Sequence, residues 1–179
     1  MIEKTVKSNP VYRGSILNLR VDEVILPNGN LASREVVEHK GAVVILAVNH
    51  HHQILLVKQY RHAVEDVLIE LPAGKLEENE SPASCAYREL IEETGFKANN
   101  LTKIMEMIPS PGFCSEKIHL YLATDLEEDY LESDPDEFID LITLDLDEAI
   151  QKIQVGQIID AKTIVGLYHY KLNNQLPNR

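Results

Sequence analysis

Apolar positions change their period several times along the chain, and each change marks an element. Residues 21–39, VDEVILPNGNLASREVVEH, hold two runs of β-branched residues around Pro27-Asn28-Gly29-Asn30. A turn cluster so placed predicts an antiparallel hairpin. GAVVILAV, ending at Val48, is almost continuously apolar, which predicts a buried strand. NHHHQ then reads as a loop, ILLVKQY as a further strand, and Val67 to Leu71 as an extended segment that Pro72-Ala73-Gly74 ends.

The period then shifts to that of a helix. Ser81 is a suitable N-cap, and Pro82 takes the first helical position, where its missing N–H costs nothing. Ala83, Ala86, Tyr87, Leu90 and Ile91 form an apolar side, and Gly95 supplies the stop. LTKIMEMIP and KIHLYLATDL predict two strands around the loop SPGFCSE. Residues 125–140, DLEEDYLESDPDEFID, carry nine acids and no base, and read mostly as an exposed loop. FIDLITL predicts a last strand; LDEAIQKIQVGQ, ending near Gly156, and DAKTIVGLYHYKLNN predict two closing helices. Strands, helix, strands, helices is the order of a mixed α/β domain rather than of a regular βαβ repeat.

Composition narrows the function classes. The 179 residues suffice for one domain with a sizeable core. A net charge of −12 argues against a general nucleic-acid or anionic-membrane binder. Acidic protein can still handle phosphate when divalent cations lie between the two. AVVILAV, the longest apolar run, is too short to span a bilayer, and the first residues lack the apolar core of a signal peptide. Cys85 and Cys114 have neither C-x-x-C spacing nor a histidine in metal-ligand register, which points to a reducing, cytoplasmic compartment.

One cluster is costly for a chain that needs only to fold. Glu89, Glu92 and Glu93 stand together just before Gly95, and like charges three and four apart on a helix repel. At about 100° per residue, Glu92 lies roughly 60° to one side of Glu89 and Glu93 roughly 40° to the other. Three carboxylates therefore leave one face of the predicted helix, near the end where the helix dipole already disfavours negative charge. Hard oxygens so grouped suit Mg²⁺ or Mn²⁺. On spacing alone, a solvated acidic face explains them as well.

The wider stretch separates these readings. Gly74, Glu80, Arg88-Glu89, Glu92-Glu93 and Gly95 follow G-x5-E-x7-R-E-L-x-E-E-x-G-F. Seven positions agreeing by chance at a given start has odds of about one in ten million. The pattern resembles the signature of the Nudix hydrolases, with Phe96 where the family usually has an aliphatic residue. The resemblance implies a Nudix-type α/β/α sandwich with a mixed sheet, here preceded by an N-terminal antiparallel β hairpin. It implies an N-terminal β region over 1–40 and the hydrolase domain over 41–179. It also implies divalent metal bound by Glu89, Glu92 and Glu93, with Arg88 orienting them through Glu80.

Other stretches resemble the ADP-ribose pyrophosphatase branch: SREVVEHKGAVVIL, KQYRHAVEDVLIELPAGKLE, SPGF and DAKT, with Pro111 sixteen residues past Gly95. Carried over by position, the Ala73 carbonyl would be a further metal ligand. Arg34 and Arg61 would hold the nucleotide, and Pro111, Gly112 and Glu116 would shape the ribose end. A loop carboxylate would act as base or ligand; Glu137 fits that place, with Asp134 and Asp136 as rivals. The implied activity is Mg²⁺-dependent hydrolysis of ADP-ribose to AMP and ribose 5-phosphate by a homodimer. Alternatives are another nucleoside diphosphate sugar such as GDP-mannose, or a Nudix module that binds ADP-ribose without cutting it. Surface arginine, a plain Pro-Gly turn and solvated loop acids are the competing explanations for the substrate residues. His50-His51-His52 reads as a polar hairpin loop, Cys85 as helix packing, and His119 as a strand position.

Overall fold

A computed structural model describes residues 1–131 and 138–175. Glu137, Asp134 and Asp136 lie outside the described residues. The chain forms two compact units, one of Met1–Gly41 with Met107–Ile118, the other of Ala42–Glu106 with the described residues from His119 onward.

The first unit is built on an antiparallel sheet, β1 (Lys4–Arg13), β2 (Leu17–Ile25) and β3 (Leu31–His39), in the order β1-β2-β3. The Pro27–Asn30 turn joins β2 and β3, with Leu31 opposite Ile25. The expected hairpin thus carries a third strand. Pro10 stands inside β1, which is tolerated because β1 is an edge strand, and the register shifts between Pro10 and Tyr12. The Ser110–Ser115 loop docks on β3: Val37 N–H donates to Phe113 C=O, and Ser115 N–H to Val37 C=O.

The second unit carries a seven-stranded sheet. Its strands are β4 (Ala42–Val48), β5 (Ile54–Arg61), β6 (Asp66–Glu70), β7 (Ala73–Lys75), β8 (Phe96–Met107), β9 (Ile118–Glu128) and β10 (Ile139–Leu144). The order is β10-β5-β4-β9-β8, with β6 added on β5 and β7 on β4. Val43 to Val48 are all buried, as their unbroken apolar run requires. Pleating sends Val43, Ile45 and Ala47 to one face, where they pack with Cys85, Ala86 and Leu90 of α1 (Pro82–Thr94). Helices α2 (Leu146–Gln154) and α3 (Ala161–Gln175) close the chain. The α1 cap is as expected: Ser81 Oγ accepts the Ser84 N–H, and Gly95 is left-handed at φ 73°.

Three expectations need correction. The extended segment does end before Pro72, but Ala73 and Gly74 at once open a further strand, β7, pairing antiparallel with Val44 and Val43. Ala83 and Tyr87 are exposed and do not anchor α1, because the inward face is set by Cys85, Ala86 and Leu90 together with Glu89 and Glu93. β9 runs on to Glu128, into the acidic stretch read as loop. The histidines do occupy a tight turn, although the His50 and His51 rings lie against each other, centroids 3.8 Å apart.

Candidate active site

Two carboxylates on the inward face of a helix are expensive unless paired or hydrogen-bonded. Glu89 and Glu93 are each only 8% exposed. Arg88, one residue before Glu89, offsets part of this cost. Its Nη1 donates to Glu89 Oε1 and to Glu92 Oε2, both at 2.8 Å. On its other side, Nε and Nη2 donate to the two oxygens of Glu80 at 2.9 and 3.0 Å. A single guanidinium thus holds three carboxylates by its fixed fork, and proximity to them raises its own pKa further. Glu93 is held differently, with Oε2 accepting the Ala73 N–H at 2.9 Å. Helix α1 and strand β7 are therefore stitched together by the box acids themselves.

The glycine opening the motif has a steric reason. A Cβ built on Gly74 would stand 1.7 Å from Glu89 Cδ and 1.8 Å from its Oε1. The Glu89 carboxylate occupies the space that any other residue's side chain would fill. Gly74→Ala must displace that carboxylate from Arg88, so kcat is expected to fall at least about tenfold while the fold survives. Steady-state kinetics beside a circular dichroism spectrum will check this; wild-type kcat would contradict it.

Glu80 gives the cluster a pH signature. Hydrogen bonds from Arg88 outweigh burial and hold its carboxyl down to about 2 from an ordinary 4.5. The folded value lies below the unfolded one, so this stabilisation is complete above about pH 4.5 and is lost as pH falls towards 2. Solvent reaches the pair, which reduces the contribution to about 1–2 kcal/mol. Melting curves of wild type and Glu80→Gln should differ near neutrality and converge in acid. A gap independent of pH would contradict the pairing.

Cys85 lies beneath this cluster, its Sγ 3.4 Å from Arg88 Nη2. Burial, with Glu80 adding to it, pushes its thiol well above the ordinary range. Cys85 therefore stays protonated and serves packing.

Arg61, at the end of β5, is held side-on by the buried Glu70: Nε to Oε1 at 2.8 Å and Nη2 to Oε2 at 2.9 Å. Nη1 takes no part in that pair. Lys162 Nζ bonds the same Glu70, and also Asp160 Oδ1 at 3.0 Å. Burial pushes the Glu70 carboxyl up, but Arg61 and Lys162 together hold it below its ordinary value. Sequence reasoning gave Glu70, Asp160, Lys162 and Thr163 no role, although IELPAG and DAKT were visible; what joins them is tertiary.

The remaining residues belong to the first unit. Arg34 pairs with Glu3, Nε to Oε2 at 3.0 Å and Nη2 to Oε1 at 2.6 Å, on an exposed surface. Pro111 and Gly112 are exposed in the Ser110–Ser115 loop. Glu116 Oε1 stands 3.5 Å from His39 Nδ1.

The acids imply a divalent cation, and their chemistry fits one. Glu80, Glu89, Glu92 and Glu93 outnumber the charge of Arg88, and all are hard oxygen donors. The three box carboxylates do not converge on one point as expected from the helical angles. Among the described residues no three His, Cys, Asp or Glu side chains are gathered closely enough to hold an ion alone. Arg88 draws Glu89 and Glu92 to itself, while Glu93 turns to β7. A cation here would complete its shell with water, substrate phosphates and a backbone carbonyl such as that of Ala73, the usual habit of Mg²⁺.

Comparison with known proteins places the chain in a family. The NUDIX domain profile matches residues 38–164, and that of the nucleoside diphosphate sugar hydrolase N-terminal domain matches 3–37. A methanol dehydrogenase activator of Bacillus methanolicus is 42% identical over 179 residues, covering 99% of this chain and 97% of that protein. The ADP-ribose pyrophosphatase of Bacillus subtilis (strain 168) is 41% identical over 176 residues, covering 97% and 95%. The GDP-mannose pyrophosphatase of Cronobacter sakazakii is 35% identical over 157 residues, covering 77% and 81%. A solved ADP compounds hydrolase has the same fold, with a TM-score of 0.85, 23% identity, and coverage of 98% of this chain and 96% of that one. With its G-x5-E-x7-R-E-L-x-E-E-x-G motif folded around Arg88, the chain belongs to the Nudix hydrolase family.

Proposed function

We propose that this protein hydrolyses ADP-ribose to AMP and ribose 5-phosphate in a reaction dependent on Mg²⁺, with Mn²⁺ as a substitute. The observation that carries the reaction type is the set of box glutamates ordered by Arg88 and locked to β7 through Ala73. The substrate is supported by the near-full-length likeness to an ADP-ribose pyrophosphatase, together with QYR and SPGF.

Divalent cations, when bound, neutralise the diphosphate, polarise it and lower the pKa of an attacking water. Glu89, Glu92 and Glu93, with the Ala73 carbonyl, would hold them. Arg88 keeps Glu89 and Glu92 oriented. Water adds to one phosphorus, the bridging P–O bond breaks, and a loop acid takes the water's proton. Glu137 is assigned that role, with Asp134 and Asp136 as alternatives. Arg61, aimed by Glu70, would contact the nucleotide, as would Arg34. Pro111, Gly112 and Glu116 would border the ribose.

A homodimer is part of this proposal. All ten residues of β1 are exposed, among them Val6, Val11 and Tyr12. A second copy covering that strand would bury apolar surface that otherwise faces water. Sedimentation velocity showing a monomer at every concentration would remove the dimer. A cytoplasmic location suits two free cysteines, and no described helix is long and apolar enough to cross a membrane.

Incubation of the protein with ADP-ribose and Mg²⁺, beside GDP-mannose, NADH and other nucleotide sugars, tests the reading. AMP and ribose 5-phosphate, abolished by chelator, are expected. Cleavage of GDP-mannose alone would keep the chemistry and replace the substrate. Binding of ADP-ribose with no product would make the protein a sensor.

A further inference from the structure

The segment Leu71-Pro72-Ala73, leading from the end of β6 into β7, is pinned by three different elements. Leu71 N–H donates to Thr163 Oγ1 of α3 at 2.8 Å. Pro72 C=O accepts the Ile45 N–H of β4 at 2.8 Å. Ala73 N–H donates to Glu93 of α1 at 2.9 Å. The polarity at the first of these has one solution. Asp160, just before α3, accepts from both the N–H and the hydroxyl of Thr163, at 3.0 and 2.6 Å. A carboxylate only accepts and a backbone N–H only donates, so the Thr163 hydroxyl must give its proton to Asp160 and its lone pair to Leu71. Thr163 is 0% exposed, and water cannot replace it.

The preceding residue of the same turn, Lys162, reaches the other side of the junction. Lys162 bonds Glu70, which is 1% exposed and whose two oxygens hold Arg61 side-on. Residues 160–163 therefore touch both arms of the candidate site: the Leu71–Ala73 backbone leading to Glu93, and the carboxylate that aims Arg61.

We propose that this first turn of α3 positions the active site through two separate arms, Thr163 setting the backbone at Ala73 and Glu93, and Lys162 setting Glu70 and Arg61. The proposal deepens the hydrolase reading above and rests on it. In a close-packed interior a shift of the Leu71 amide has no slack to absorb it before Ala73, two residues on. The Thr163 arm should therefore act on the chemical step. The Lys162 arm should act on nucleotide binding, since Arg61 meets substrate in its ground state as well.

The kinetics of three variants with ADP-ribose test this. Thr163→Val keeps the volume, removes the hydroxyl, and is expected to lower kcat by about tenfold to a hundredfold with KM within about twofold. Thr163→Ser restores the hydroxyl and should restore kcat. Lys162→Met should raise KM about tenfold with kcat close to wild type. Lowered melting temperatures with wild-type kcat and KM would overturn the proposal, as would equal losses in both parameters for both variants. Should Thr163→Val fail to fold, Thr163→Ala removes the same hydroxyl while leaving Asp160 on Lys162, and is expected to lower kcat alone. If the wild type cleaves no nucleotide sugar, the hydrolase reading fails on its own account, and amide hydrogen exchange then decides. Exchange at Ala73 should quicken in Thr163→Val and not in Thr163→Ser; unchanged exchange in both would sink the positioning role.

Discussion

Glu93→Gln is expected to lower kcat for ADP-ribose by about 10²–10⁴-fold while KM moves less than about threefold. Gln has the shape of Glu and still offers a carbonyl oxygen to the Ala73 N–H, so the α1–β7 stitch survives. What disappears is a negative charge that is 8% exposed. Lost desolvation cost and lost attraction to the Arg61 charge oppose each other, so the melting temperature should change little. A loss of rate without loss of stability is the signature of a group kept for chemistry. Near-normal turnover would remove Glu93 from the mechanism.

Arg88→Met should be the most destabilising single change in the motif. Met matches the length of the arginine stem but leaves Glu80, Glu89 and Glu92 without their shared cation. Breaking a partly buried ionic cluster from one side costs about 3–5 kcal/mol, or roughly 10 °C in melting temperature for a domain of this size. The loss should be recovered in part by millimolar Mg²⁺, which binds the orphaned carboxylates of the native state and not the unfolded chain. Added Mg²⁺ should therefore raise the melting temperature of Arg88→Met more than that of wild type. Arg88→Lys should resemble Met, because an ammonium cannot serve three carboxylates as a planar fork does. A melting temperature within a degree of wild type would mean that Arg88 does not hold the cluster together.

Much of the helix that carries these groups was legible. Ser81, Pro82 and Gly95 act within a few residues of themselves, so the α1 limits follow from local chemistry. The β2–β3 turn and the buried strand β4 were legible for the same reason. Strand β1 fell within the β region expected over 1–40 but was given no limits of its own; its place at a sheet edge is what makes Pro10 harmless. Strand β7 was hidden because three residues containing a glycine have no strand pattern, and pairing with Val43 and Val44 alone makes them one.

In the candidate site the division is sharper. Residue types and spacing determined that Glu89, Glu92 and Glu93 share a helix with Arg88, because helical geometry is a property of the local chain. Sequence also determined the family, since seven fixed positions rarely agree by chance. Only the tertiary structure decided that Glu89 and Glu93 face inward, that Arg88 rather than a common point gathers Glu80, Glu89 and Glu92, and that Glu93 bonds Ala73. Likewise the relay from Asp160 through Thr163 to Leu71 spans 92 residues between its last two members. No periodicity reports such a contact. It exists because Leu71 is buried, its N–H must find an acceptor away from water, and Thr163 is the residue that the packing brings to it.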